Sequence, residues 1–184
     1  MKLNFLGRTL SPDERRIAII GSGKLTPRGE VITKKFVKAF VKSKVTIVSE
    51  YFSELGKVVI KTCLKDGGRL VVVFGAGLDY LEKVEDKGLI DQITKQGTLT
   101  TPFSKATDHS YRNNVTLGEV VSFISDAVIV IEGKRTLGIL TYVNSALDAG
   151  REVFTLKGTE VGDFLLGEGA TLATKPRDVL DRVL

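Results

Sequence analysis

The stretch Ala127–Gly150, AVIVIEGKRTLGILTYVNSALDAG, joins a strand pattern to a helix pattern through a short glycine-bearing turn. Ala127–Ile131 is a continuous apolar run rich in β-branched residues, the pattern of a parallel strand buried on both faces. Downstream, Leu140, Val143 and Leu147 recur at helical spacing and are expected to form the face that packs back on the sheet. Between the two lie Glu132, Gly133, Lys134, Arg135, Thr136, Leu137 and Gly138, with Thr141 one turn further on. Backbone N–H groups and the helix dipole at such a turn favour an anion, so the ligand expected here carries phosphate. The plain alternative is a tight turn whose cations are merely solvated.

Outward from this unit the same alternation repeats. Arg16–Ile20 reads as a first buried strand, followed by Gly21, Ser22, Gly23 and Lys24 and by a helix from about Pro27 to Val41. GSGK is not a P-loop, which would need glycine at Ala18 and a hydroxyl residue at Leu25. Nor is it the dinucleotide fingerprint, which would need a third glycine at Thr26. Val45–Ser49 and Arg69–Phe74 are further strands, separated by a helix over Phe52–Lys65 and closed by Gly75, Ala76, Gly77, Leu78 and Asp79. A helix from about Lys83 to Gln96, a strand at Thr98–Thr101 and a loop through Ser110 come next. Tyr111, Arg112, Asn113 and Asn114 then open a helix carrying Leu117, Val120, Val121 and Ile124. Beyond Gly150, strands are expected at Glu152–Leu156 and Thr171–Ala173, with a tail helix at 176–184. The pattern predicts an α/β protein: a Rossmann-like, doubly wound, mostly parallel sheet of about seven or more strands flanked by helices on both faces.

Composition agrees with one globular domain over residues 1–184, with 1–14 as an amino-terminal arm: 42% of the 184 residues are hydrophobic and 27% charged. The apolar runs are strand-length, and the first residues lack an apolar core, so neither a membrane span nor a signal peptide is expected, and a cytoplasmic protein is. Cys63, the single cysteine, stands in register with Leu55 and Val59 on an apolar helix face and reads as core. The net charge of +5 is concentrated between Lys24 and Lys44, which suits a polyanionic partner. Lys34, Lys38 and Lys42 repeat opposite Phe36, Val37, Phe40 and Val41, as on any solvated helix face. Lys24 and Arg28, in or beside a loop, are the stronger ligand candidates.

In a doubly wound sheet, the loops leaving the carboxyl ends of the strands form one rim, and ligands bind there at the switch point. The rim is expected to gather Gly21–Lys24, Gly75–Asp79, Glu132–Gly138 and Lys157–Gly158.

The order of these turns resembles the DNA-processing protein A (DprA, or Smf) family. RIAIIGSGKLTPRG resembles its opening strand and GSR turn, KDGGRLVVVFGAGLDY its GG-strand-GxGLD segment, and Tyr111–Asn114 its RNR element. AVIVIEGKRTLGILT resembles its strand and SGSL-type turn, GREVFTLKG its GR-V-F-PG segment, and GEGATLATKPRDVL its closing segment. The chain departs from the family pattern at Gly23, at Asn114, at Glu50–Gly56 and at Thr136–Ile139. The resemblance implies a Rossmann-like domain that binds single-stranded DNA and hands it to a RecA-type recombinase during natural transformation. It further implies a cytoplasmic homodimer with no cofactor and no chemistry of its own. The residues it implicates are Gly21, Ser22, Gly23, Lys24, Arg28, Gly75, Gly77, Asp79, Arg112, Asn113, Asn114, Gly133, Lys134, Arg135, Thr136, Gly138 and Thr141. Arg112 is expected to face the Gly21 and Gly133 loops; the alternative is an ion pair with Asp79 or Glu132 that locks the rim. Tyr111 or Phe103 could offer a stacking face for a base.

A different class shares this architecture, the nucleoside-monophosphate phosphoribohydrolases, in which a glycine turn precedes a catalytic glutamate on the next helix. Here Tyr142, Val143 and Asn144 stand where that acid would be, and His109 is a lone loop histidine. A protein-interaction scaffold that binds no ligand is the third reading.

Overall fold

The computed structural model describes residues 2–21, 24–84 and 86–184, apart from the side chains of Tyr111, Asn114 and Val115. Eight strands form one sheet: β1 (Asn4–Gly7), β2 (Arg16–Ile20), β3 (Thr46–Glu50), β4 (Leu70–Val73), β5 (Thr98–Thr101), β6 (Ala127–Val130), β7 (Glu152–Thr155) and β8 (Thr171–Leu172). Their spatial order is β1-β5-β4-β3-β2-β6-β7-β8. Every pairing is parallel except that of β1 with β5. The chain winds outward from β2 to β5, returns to the centre at β6, and winds out the other way, so the switch point lies between β2 and β6.

The sheet is covered on both faces. One is packed by α1 (Pro27–Lys42), α2 (Glu54–Lys65), α3 (Lys87–Gln96) and α7 (Pro176–Val183). The other is packed by α4 (Asn114–Ile124), α5 (Leu137–Asp148) and α6 (Glu160–Gly167). Strand alternation divides the core accordingly. Ile17, Ile19, Ile47, Val72 and Ile129 point to the first face, and Ala18, Ile20, Val48, Val71 and Val130 to the second. The central strands are fully buried, as their β-branched runs predict.

Three features differ from the sequence expectation. The amino-terminal arm contains β1, an antiparallel edge strand in register from Asn4 opposite Thr101 to Gly7 opposite Thr98. The segment after β1 is clamped by Arg69, whose guanidinium donates to Glu14 (3.2 Å), Thr98 (2.8 Å) and the Thr9 carbonyl (3.0 Å). The expected helix at 83–96 is a 3-10 turn (Leu78–Lys83) and then α3, while α6 fills a segment for which no helix was expected. Finally, the inward face of α5 is Ile139, Tyr142, Val143 and Ala146; Leu140 is only partly buried and Leu147 is 58% exposed. The cause is close packing against α4: a Cβ on Gly118 would sit 3.2 Å from Tyr142 Cα, which turns the small Ala146 inward and Leu147 out.

Cys63 is fully buried, and burial pushes its thiol up to about 12. Its thiolate is therefore scarce at neutral pH. A thiol reagent at pH 8 should leave the native protein unmodified and titrate one thiol only after denaturation; stoichiometric labelling of the native chain would contradict this packing.

Candidate nucleic-acid interface at the sheet rim

The rim helices begin in a shared way. Thr26, Ser53 and Thr159 cap α1, α2 and α6, each hydroxyl accepting the N–H of the glycine three residues on: Gly29 (3.0 Å), Gly56 (2.9 Å) and Gly162 (3.0 Å). These glycines serve close approach. A Cβ would run into the Glu132 carboxylate at Gly29, the Glu50 carbonyl at Gly56 and the Leu156 carbonyl at Gly162. The [ST]-x-x-G repeat is present in the sequence as TPRG, SELG and TEVG, a signal that motif reading passed over.

At the switch point, Glu132 leaves β6 and reaches across to α1. Its carboxylate accepts the Thr26 N–H (2.6 Å) and the Thr26 hydroxyl (2.7 Å), and the residue is only 8% exposed. Gly21 lies directly beneath, where a Cβ would meet the Glu132 carbonyl at 2.8 Å. Glu54 accepts the Leu25 N–H (2.8 Å), and Glu50 accepts those of Phe52 (2.8 Å) and Ser53 (3.0 Å). The backbone N–H groups just ahead of α1, beside the loop where an external anion was expected, and just ahead of α2 thus hold the chain's own carboxylates. At the β6 turn, Arg135 N–H donates to Glu160 (3.0 Å) and Thr136 caps Ile139 weakly at 3.5 Å. The amides of Leu137 and Gly138 take no partner among the described residues.

Around this point stand the cations. Lys24, Arg28, Lys134, Arg135 and Lys157 are all exposed. Arg28 projects over the β7 turn, its guanidinium 3.5 Å from where a Cβ on Gly158 would lie. Arg135 lies over the Phe164 ring of α6, 3.8 Å from the centroid. Gly133 ties the turn to α6 through its carbonyl, which accepts the Val161 N–H (3.2 Å). Thr141 spends its hydroxyl on the Leu137 carbonyl of its own helix (2.9 Å). Ser22 and Gly23 lie outside the described residues, as does the side chain of Asn114.

The β4 side of the rim is built differently. Gly75 and Gly77 are buried in protein contacts, Gly77 against the backbone of Ser104 and Lys105, its N–H donating to Thr107 (2.7 Å). Asn113 donates to the Gly75 carbonyl (2.7 Å), so its amide holds the fold together. Asp79 is exposed in the 3-10 turn. Arg112, in a second 3-10 turn (Tyr111–Asn113), is exposed and makes no ion pair among the described residues. Both oxygens of Glu132 are engaged by Thr26, and the alternative lock of Arg112 on Asp79 or Glu132 is absent among the described residues. Through Asn113 the turn that carries Arg112 is tied to Gly75 at the end of β4, which lies two strands from β2. Of the five glycines expected on one cleft, Gly21 thus lies against the Glu132–Gly133 turn and Gly138 in the first turn of α5, while Gly75 and Gly77 belong to a second cluster on the same rim.

That cluster holds an aromatic stack that motif reading missed. Phe52 lies between Phe74 (5.0 Å between centroids) and His109 (3.8 Å), with Tyr80 edge-on. Burial lowers the pKa of His109, keeping the imidazole neutral against the ring. Phe103, an expected stacking residue, instead packs partly buried against the second core.

Glu50 is pushed above the ordinary carboxylate range by burial, against the pull of the Ser53 and Phe52 hydrogen bonds. Burial and the nearby Glu50 hold the Tyr142 phenol well above its ordinary value. Tyr142 and Val143 are buried on α5 and Asn144 is exposed, so no carboxylate stands at the phosphoribohydrolase position.

Two outcomes test this construction. Glu132→Ala leaves the Thr26 N–H without its acceptor and should cost about 1–3 kcal/mol in urea unfolding; Glu132→Gln, which keeps one acceptor, should cost less. For Glu50, a folded-state pKa above the unfolded one means a contribution that is full in acid and lost as the pH rises through the folded value. The Tm of Glu50→Gln should therefore gain on wild type as the pH rises above about 4, the ordinary glutamate value; a gap that is constant with pH would contradict the burial.

The profile of the DNA recombination-mediator protein A family matches residues 2–184. Bacillus subtilis DNA processing protein DprA is 25% identical over 181 residues, 95% of this chain and 61% of its own length. The chain spans less than two thirds of the curated relatives it matches. Among solved structures, Streptococcus pneumoniae DprA superposes with a TM-score of 0.89 at 23% identity, over 99% of this chain and 66% of that one. Helicobacter pylori DprA, described for its single-stranded DNA binding mode, gives 0.85 at 18% identity, over 98% of this chain and 85% of its own. With a family match across nearly its whole length and the same doubly wound fold, the chain belongs to the DNA recombination-mediator protein A family.

Proposed function

We propose that the chain is a non-catalytic single-stranded DNA-binding protein of DNA processing that holds the strand at the carboxyl-end rim. The observation that carries this reading is the group of exposed cations around the switch point, Lys24, Arg28, Lys134, Arg135 and Lys157, in a member of this family. With the backbone N–H groups just ahead of α1 and α2 held by Glu132, Glu54 and Glu50, phosphates meet side-chain cations and the Leu137 and Gly138 amides of α5. Gly21 and Gly133 let the strand approach the backbone between them, and Arg112 supplies a second phosphate contact across the rim. Delivery to a RecA-type recombinase, self-association as a dimer and a cytoplasmic location complete the reading; their support is the family match. Among the described residues no helix is long and apolar enough to cross a membrane.

The test is fluorescence anisotropy with an oligothymidylate, its duplex and a nucleoside monophosphate across a salt series. The single strand should bind best, with affinity falling as salt rises. Arg28→Ala and Arg112→Ala should each weaken binding and flatten the slope of log K against log salt by about 0.7, the value for one phosphate contact on a single strand. Both side chains are exposed, so neither variant should shift Tm. Salt-independent binding, or binding of the monophosphate with none of DNA, would overturn the reading.

A further inference from the structure

The charge of this protein is divided between the two faces of its sheet. From Lys24 to Lys65 the chain has ten lysines and arginines against three glutamates, so the remainder carries a net −2 against the overall +5. The fold sorts this further. On the first face, α1, α2 and α3 carry ten lysines and arginines against three acids, and α7 has two of each. On the second face, α4, α5 and α6 carry four acids and no lysine or arginine.

The positive charge is greatest over the centre of the sheet. α1 and α2 follow the adjacent central strands β2 and β3, start at the rim and pack against each other. Lys34, Lys35, Lys38 and Lys42 on α1 and Lys57, Lys61 and Lys65 on α2 are all exposed. Lys34 pairs with Glu30 (2.5 Å) and Lys61 with Asp86 (3.7 Å); the other five make no salt bridge among the described residues, with Lys57 near enough to Glu50 to act on its charge. Four-residue steps along α1 place these charges about 6 Å apart, comparable with successive phosphates of an extended strand. Neither helix exposes an aromatic ring, so the face has nothing to stack a base on and no wedge to enter a lipid layer. What it offers is a row of ammonium groups continuous with Lys24 and Arg28 at the rim.

We propose that the α1–α2 face is a second nucleic-acid surface, over which a single strand held at the rim continues through phosphate contacts alone. The proposal rests on the rim reading and gives the strand a direction: away from the acidic α4–α5–α6 face and across α1 and α2. Binding there is independent of sequence and sensitive to the length of the strand.

The experiment compares oligothymidylates of about 8 and about 30 nucleotides, one short enough to fill a single site and one long enough to leave it. The triple variant Lys35→Gln/Lys38→Gln/Lys42→Gln is measured beside Arg28→Ala, with thermal melting to confirm folding. Loss of three phosphate contacts should leave the short oligonucleotide bound as in wild type, weaken the long one on the order of tenfold at low salt and flatten its salt slope by about two. Arg28→Ala should weaken both lengths. If the triple variant binds the long strand with wild-type affinity and slope, the lysines are merely solvated and the proposal falls. Equal weakening of both lengths would make these lysines part of the primary site and also overturn it. A triple variant that loses only the long strand, beside an Arg28→Ala protein unchanged with either length, would keep the lysine surface and remove the rim.

Discussion

The carboxylate of Glu132 on Thr26 is the contact on which the rim depends. The β2–β6 ladder runs up to Ile20 opposite Val130, with the Ile131 N–H on the Ile20 carbonyl, and beyond it the two chains turn away into separate helices. There one buried carboxylate accepts both the N–H and the hydroxyl of Thr26, so the first turn and the turn after β6 are tied by bonds of 2.6 and 2.7 Å where solvent competes poorly. The arrangement also dictates its surroundings: glycine at 29 because the carboxylate occupies the Cβ position, and glycine at 21 because the Glu132 backbone passes over it.

The same device recurs around the rim with different partners. Glu50 holds the start of α2, Glu54 the loop before α1, Glu160 the turn before α5, and Asp163 the Gly158 amide (2.9 Å). Each takes a helix-end or turn donor that in a nucleotide-binding member of this architecture would face ligand phosphate. Apart from the Leu137 and Gly138 amides of α5, these donors are satisfied before any ligand arrives, and what the rim offers an anion is chiefly flexible side-chain cations. Such cations hold a phosphate without fixing its position, which suits a polymer backbone better than a single nucleotide.

The sheet was legible in the sequence because buried parallel strands are written as β-branched runs: RIAII, TIVS, LVVV and AVIV all appear where expected. Cys63 was legible from helical register alone. β1 was not, because NFLG is four residues with one polar end, and its pairing partner is 91 to 97 residues away along the chain. α6 was not, because EVGDFLLG is short and carries two glycines. The face of α5 was misread by one position since Ile139–Leu140 and Ala146–Leu147 satisfy a helical period equally well; only the proximity of α4 at Gly118 separates them. The glycine turns pointed to the rim correctly, but sequence cannot tell a glycine that admits a ligand from one, like Gly77, that admits another strand's loop. Nor could it tell that Asn113 and Glu132 face inward.

Charge and topology reinforce each other at this rim. Because β2 opens the fold at the switch point, the helix after it and the next helix are bound to cover the centre of one face, and the basic segment of the chain is the one that folds there. Had the same lysines lain on α4, they would have stood on the opposite face of the sheet from α1 and its Arg28. Placed on α1 and α2, they adjoin Lys24 and Arg28, and at physiological ionic strength, where screening acts over about 8 Å, neighbouring cations on this face reinforce one another, while Glu160 and Asp163 of the acidic face are engaged by backbone amides of the rim. A polyanion approaching from solution meets a one-sided field that leads to the switch point, and the order of strands in the sheet is what gives that field its direction.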